Sequence, residues 1–124
     1  MGVVHHSNYL RYFEEARLDW LEQIGCPYAL LEARGLQSPV LAVSCAYRKP
    51  SYYGQTLLIR VRFAPRGRVR WEFRYEVADA ETGELRAEGS SEHCFLDAAG
   101  RVISLEKADP GLYRTLLERG EPDP

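Results

Sequence analysis

The chain has 124 residues, 45% of them hydrophobic and 27% charged, with a formal net charge of -2. That describes one ordinary globular domain with a single core, and the near-neutral balance excludes a general binder of nucleic acid or anionic membrane surfaces. No apolar run reaches bilayer length and no signal peptide is visible, while Cys26, Cys45 and Cys94 are too scattered for a disulfide framework or a zinc site, which fits a reducing cytoplasm.

In chain order, Gly2 to Ile24 reads as a short turn running into one long helix. Tyr9, Phe13, Ala16, Trp20 and Ile24 recur at three- and four-residue steps, and Leu10 and Leu21 widen the stripe. Arg11, Glu14, Arg17 and Asp19 fall largely elsewhere, so the helix has a broad buried face. Ser7 or Asn8 can cap its start and Gly25 can stop it. Pro27 opens a short second helix with Tyr28, Leu30 and Leu31 on its apolar side, ended by Gly35.

The apolar run from Pro39 to Tyr47 predicts a strand buried on both faces. After a proline- and glycine-marked break, Leu57 to Phe63 alternates between an apolar face (Leu57, Ile59, Val61, Phe63) and a face carrying Leu58, Arg60 and Arg62. Pro65 and Gly67 mark a turn, and Val69, Trp71, Phe73, Tyr75 and Val77 then face inward on the next strand. A tight turn at Gly83 leads into a returning strand from Leu85 to Leu96, a last short strand VISL, and a terminal helix from Pro110 to Arg119 capped by Asp109. One helix followed by four or five antiparallel strands predicts an α+β domain with one sheet, which needs the helix to cover its apolar face.

The opening GVVHHSNYLRYFEEAR resembles the signature of the hotdog-fold acyl-CoA thioesterases of the 4-hydroxybenzoyl-CoA thioesterase and YbgC type, roughly D-x-x-G-[VI]-V-x-[HY]-x-x-Y followed by the helix. Gly2, Val3, Val4, His6 and Tyr9 match, and Glu15, Ala16 and Arg17 stand where that helix often carries E-A-R. More weakly, YRKPSYYGQ is similar to the family's F-x-x-P-x-x-x-G-D, with Gln55 in place of the aspartate. The resemblance implies an antiparallel sheet wrapped around one long central helix, with an acyl-CoA substrate, no separate cofactor, and sites formed between subunits of a homodimer or homotetramer. It also implies a catalytic aspartate three residues before Gly2, which places that group and the first strand upstream of Met1.

On that resemblance the backbone N–H of His6 polarises the thioester carbonyl, as the first turn of a helix offers free donors and partial positive charge. Asn8 and Tyr9 join it as candidates, Gly2, Val4 and His5 border the substrate, and Phe13 walls the acyl slot with Trp20. Read without a family, His5 and His6 are two polar residues in a turn, Asn8 a cap and Tyr9 a core aromatic. Glu15 is the reserve base, because other hotdog branches mount a carboxylate on this helix; Glu14 lies off the buried face. Arg66, Arg68 and Arg70 form either a solvated strand edge or a rim for the phosphates of coenzyme A. The rival functions are a hotdog dehydratase and a non-catalytic acyl-CoA-binding scaffold.

Overall fold

The structure is a computed structural model that describes residues 7–52 and 54–119. Its elements are α1 (Ser7–Gln23), α2 (Tyr28–Ala33), β1 (Val40–Tyr47), β2 (Leu57–Arg66), β3 (Arg70–Asp79), β4 (Leu85–Leu96), β5 (Val102–Ile103), α3 (Leu105–Ala108) and α4 (Pro110–Arg119). The strands form an antiparallel sheet in the order β1-β4-β3-β2, with β5 paired to the end of β4. Helix α3 interrupts what the sequence suggested was a longer last strand, because Leu105 turns inward and is buried.

The helix stripe does what its spacing predicts. Tyr9, Phe13 and Leu21 are buried, and Trp20 and Ile24 pack against the same core. Across the sheet, Trp71, Phe73, Tyr75 and Val77 of β3 are buried on the facing side. Phe13 stacks on Tyr75 with ring centroids 4.4 Å apart, while Trp20 sits 5.3 Å from Phe63 and 5.6 Å from Phe73. Phe13 comes this close because Gly89 lies beneath it: a Cβ there would stand 2.6 Å from the ring.

Both glycine stops are realised in the same way. At Gly25 (φ 83°) the Cys26 N–H donates to the Leu21 carbonyl and the Gly25 N–H to the Glu22 carbonyl; Gly35 (φ 76°) repeats the pattern with Leu36, Leu31 and Glu32. These paired bonds satisfy carbonyls that a helix end otherwise leaves open. At the other end of the chain, Asp109 Oδ1 accepts from the Leu112 N–H at 3.1 Å, as its capping role requires.

One strand departs from expectation. β1 is apolar on both faces, yet Val40, Leu41, Val43 and Tyr47 are each 45–49% exposed, because β1 is an edge strand paired only with β4. The apolar run describes a surface that wants cover, and among the described residues nothing supplies it in full. Among the described residues, no helix is long and apolar enough to cross a membrane.

Candidate active site and the cavity beneath the helix

The sequence-predicted site splits into three places. Gly2, Val4, His5 and His6 lie outside the described residues. Of the rest, Asn8 is half-buried in the first turn of α1, within the helix rather than before it, so it does not cap the helix as the sequence suggested. Tyr9 is buried edge-on between Tyr12 (5.8 Å) and Tyr47 (5.4 Å). The start of α1 therefore meets the exposed edge of β1 in an aromatic corner, with Phe13 one turn further in.

The carboxylates separate differently from the helical stripe. Glu15 points to solvent, 3.8 Å from Arg11 in an exposed i,i+4 pair. Glu14 is also exposed but lines the mouth of a cavity. Two adjacent residues on a helix point about 100° apart, and here that angle separates a surface ion pair from a pocket rim.

The arginine group sits at the far end of the sheet. Tyr47 is in register with Ala87, Val77 and Ile59, and Arg66 lies seven residues beyond Ile59, roughly 23 Å away at about 3.3 Å per residue. Within one protomer Arg66 and Arg70 are cross-strand partners beside an exposed turn bearing Arg68. Arg66 forks onto Glu72, with both bonds at 3.2 Å, and that pairing raises its pKa while Arg66 holds the Glu72 carboxyl below its ordinary value. One protomer does not bring these guanidiniums to the start of α1.

What the sequence reading did not single out lies under the second half of α1. A cavity of about 280 Å³ opens between α1, the inner face of the sheet and helices α2 and α4. Leu21, Leu31, Phe63, Phe73 and Phe95 are among its walls, and Arg17, Glu14 and His93 are among its polar groups. His93 is only 2% exposed. Its Nε2 lies 2.7 Å from Ser91 Oγ, which lies 2.6 Å from the Tyr75 hydroxyl; Arg17 Nη1 donates to that hydroxyl at 3.4 Å.

The direction of this chain follows by elimination. The Pro39 carbonyl can only accept, so the His93 ring donates to it through Nδ1 and leaves Nε2 as an acceptor. Ser91 then donates to His93, Tyr75 to Ser91, and Arg17 to Tyr75. Every hydrogen has one place to go. Burial, and then the positive charge of Arg17, hold the His93 pKa down at about 4, so the ring is neutral at physiological pH. Burial likewise raises the Tyr75 pKa, keeping its hydroxyl protonated and able to donate. The sequence signal was available: Ser91 and His93 occupy inward positions of β4 between Gly89 and Phe95, where apolar residues are expected.

Among the described residues, no cluster of histidine, cysteine or acidic side chains could hold a metal ion. A buried neutral imidazole hydrogen-bonded at both nitrogens is spoken for, which leaves Arg17 and, at the rim, Glu14 as charged groups facing the cavity.

A family model for the thioesterase-like superfamily matches residues 1–116. The chain belongs to that superfamily. Its fold is the hotdog, and this member is a thioester hydrolase by relationship. It is 30% identical over 122 residues to the provisionally named acyl-CoA thioesterase YneP of Bacillus subtilis, covering 98% of this chain and 87% of that one. Among solved structures, the DHNA-CoA thioesterase of Staphylococcus aureus superposes with a TM-score of 0.84 at 30% identity, covering 99% of this chain and 87% of that one. A hypothetical protein from Thermus thermophilus is 38% identical, with a TM-score of 0.80 over 94% of this chain and 85% of that one. Family and overall fold thus agree between sequence and structure.

Proposed function

We propose that this thioesterase hydrolyses small aromatic or short-to-medium acyl-CoA thioesters in the cytoplasm, at a site organised by the start of α1. Water adds to the thioester carbonyl carbon, the carbon–sulfur bond breaks, and coenzyme A leaves as a thiol while the acyl group leaves as an acid. A carbonyl oxygen gaining negative charge in that step needs preorganised donors, and a helix start supplies backbone N–H groups together with the positive end of the dipole. The observation that carries the reading is the match of residues 1–116 to the thioesterase-like superfamily.

In this reading His6 and its neighbours Asn8 and Tyr9 frame the carbonyl, and Gly2, Val4, His5 and Phe13 border the acyl group. A carboxylate activates the water or attacks directly, and on this chain Glu15 stands in reserve for that role. Arg66, Arg68 and Arg70 meet coenzyme A phosphates from a neighbouring subunit, since they are remote from the corner of their own. A homodimer pairing β1 edge to edge covers Val40, Leu41, Val43 and Tyr47, and a homotetramer follows from pairing such dimers.

Hydrolysis of a panel of acyl-CoAs tests the reading, using the chain as given and one extended upstream to include an aspartate. Turnover by the extended form, reduced at least tenfold in Asn8→Ala, is the expected result; inertness of both forms on every substrate overturns it. Sedimentation should give twice or four times the protomer mass, falling to one in Val43→Glu, and a monomeric parent chain would refute the edge pairing.

A further inference from the structure

We infer that the cavity under the second half of α1 is a binding site for a small aromatic carboxylate, whose ring fills the apolar chamber and whose carboxylate meets Arg17. An apolar cavity of roughly 150 Å³ already admits benzene, so about 280 Å³ accommodates one or two fused rings. Leu21, Phe63, Phe73 and Phe95 supply a surface suited to such a group.

The polar end is specified by Arg17. It is half-buried, lies at the cavity, and among the described residues has no carboxylate within ion-pair distance; its hydrogen bond goes to the neutral Tyr75 hydroxyl. A guanidinium withdrawn from water without a counter-charge is costly, and a ligand carboxylate relieves that cost through two parallel charge-assisted bonds. Tyr75, Ser91 and His93 are positioning residues: their one-way chain from the Pro39 carbonyl fixes the acceptor to which Arg17 donates. Glu14 shares the rim and opposes an anion there, exposed enough for solvent to screen it.

This goes beyond the hydrolysis reading, because the acid has two sources: the acid released by the reaction, or an independent acid acting as a regulator. Benzoate and 2-naphthoate are the probes, titrated into the full chain and followed by calorimetry and by the Trp71 indole N–H signal in NMR spectra. Saturable binding is expected, weakened at least tenfold in Arg17→Gln and several-fold in Tyr75→Phe, tightened about twofold in Glu14→Gln, with benzyl alcohol indifferent to all three. Arg17→Lys, which keeps the charge and loses the fork, should bind between parent and Arg17→Gln, and thermal melts confirm that each variant is folded. No binding up to probe solubility, or equal binding by parent and Arg17→Gln, overturns the inference. Competitive inhibition of acyl-CoA hydrolysis identifies the acid as product-like, and uncompetitive or absent inhibition as a separate ligand; only this arm rests on the thioesterase reading. Acid binding by a chain that hydrolyses nothing would retire that reading and leave the site standing.

Discussion

The two halves of α1 are packed in opposite ways. From Tyr9 to Phe13 the helix sits down on the sheet with rings interleaved and Gly89 making room. From Arg17 to Leu21 it spans a cavity, reaching the sheet through Trp20 against Phe63 and Phe73 on one side and through the hydrogen-bond chain from Arg17 on the other. The first half gains its stability from dispersion and burial, which are insensitive to pH; the second carries a buried titratable ring, and its stability is conditional. Close packing beside the proposed reaction corner holds the helix start still, while the hollow under the other half leaves room for a guest.

The largest expected effect removes the solid half. Phe13→Ala should destabilise the fold by about 3–5 kcal/mol, the range for emptying a buried phenylalanine site, measurable by urea unfolding with unchanged m. A loss under about 1 kcal/mol would mean that the Phe13–Tyr75 stack does little to hold α1.

The conditional half is broken by acid. The His93 pKa is about 4 in the folded chain against an ordinary value of 6.5, so between those values the unfolded chain binds a proton that the folded chain refuses. Stability contributed by the neutral ring is complete above 6.5 and falls as pH drops toward 4, by about 1.4 kcal/mol per unit and roughly 3 kcal/mol in all. His93→Gln should flatten that slope in pH-dependent unfolding. The Asp79 carboxyl, held low chiefly by the Thr82 and Glu81 backbone N–H groups, acts in a lower window: its contribution is present above its ordinary 3.8 and is lost as pH falls below that. An unchanged slope between 6.5 and 4 in His93→Gln would remove the distinction between the two halves.

The smallest effect sharpens the contact itself. Gly89→Ala leaves the backbone allowed but pushes a methyl group into Phe13 and the Ser44 carbonyl, costing about 1–3 kcal/mol by overpacking. Combined with Phe13→Leu, which vacates part of that space, the penalty should shrink in a double-mutant cycle, because the two positions are in contact.

Much of this was legible in the residues, and the parts that were not share a cause. The stripe of Tyr9, Phe13 and Trp20, the alternation of Trp71 to Val77 and the two glycine stops are local patterns, and the structure realises each of them. The apolar run of β1 was read as doubly buried because periodicity reports a need for cover without saying who provides it. Arg17 fell off the stripe, and Ser91 and His93 were not singled out, because their meaning arises only when β3, β4 and α1 bring them into line. The stripe favoured Glu15 over Glu14, and the angle of the helix over the sheet reversed that, turning Glu15 to solvent and Glu14 to the cavity rim.

The strand order has a consequence in time. β2, β3 and β4 are successive hairpins that close over short stretches of chain, whereas β1 must find β4 across the whole intervening meander. Loop closure over that span is entropically slower, so the chain is expected to assemble its β2-β3-β4 meander first and add β1 and the helix preceding it later. The last edge to arrive is then also the stickiest one, and the moment between its docking and its coverage is when the chain is most exposed to clumping with its neighbours.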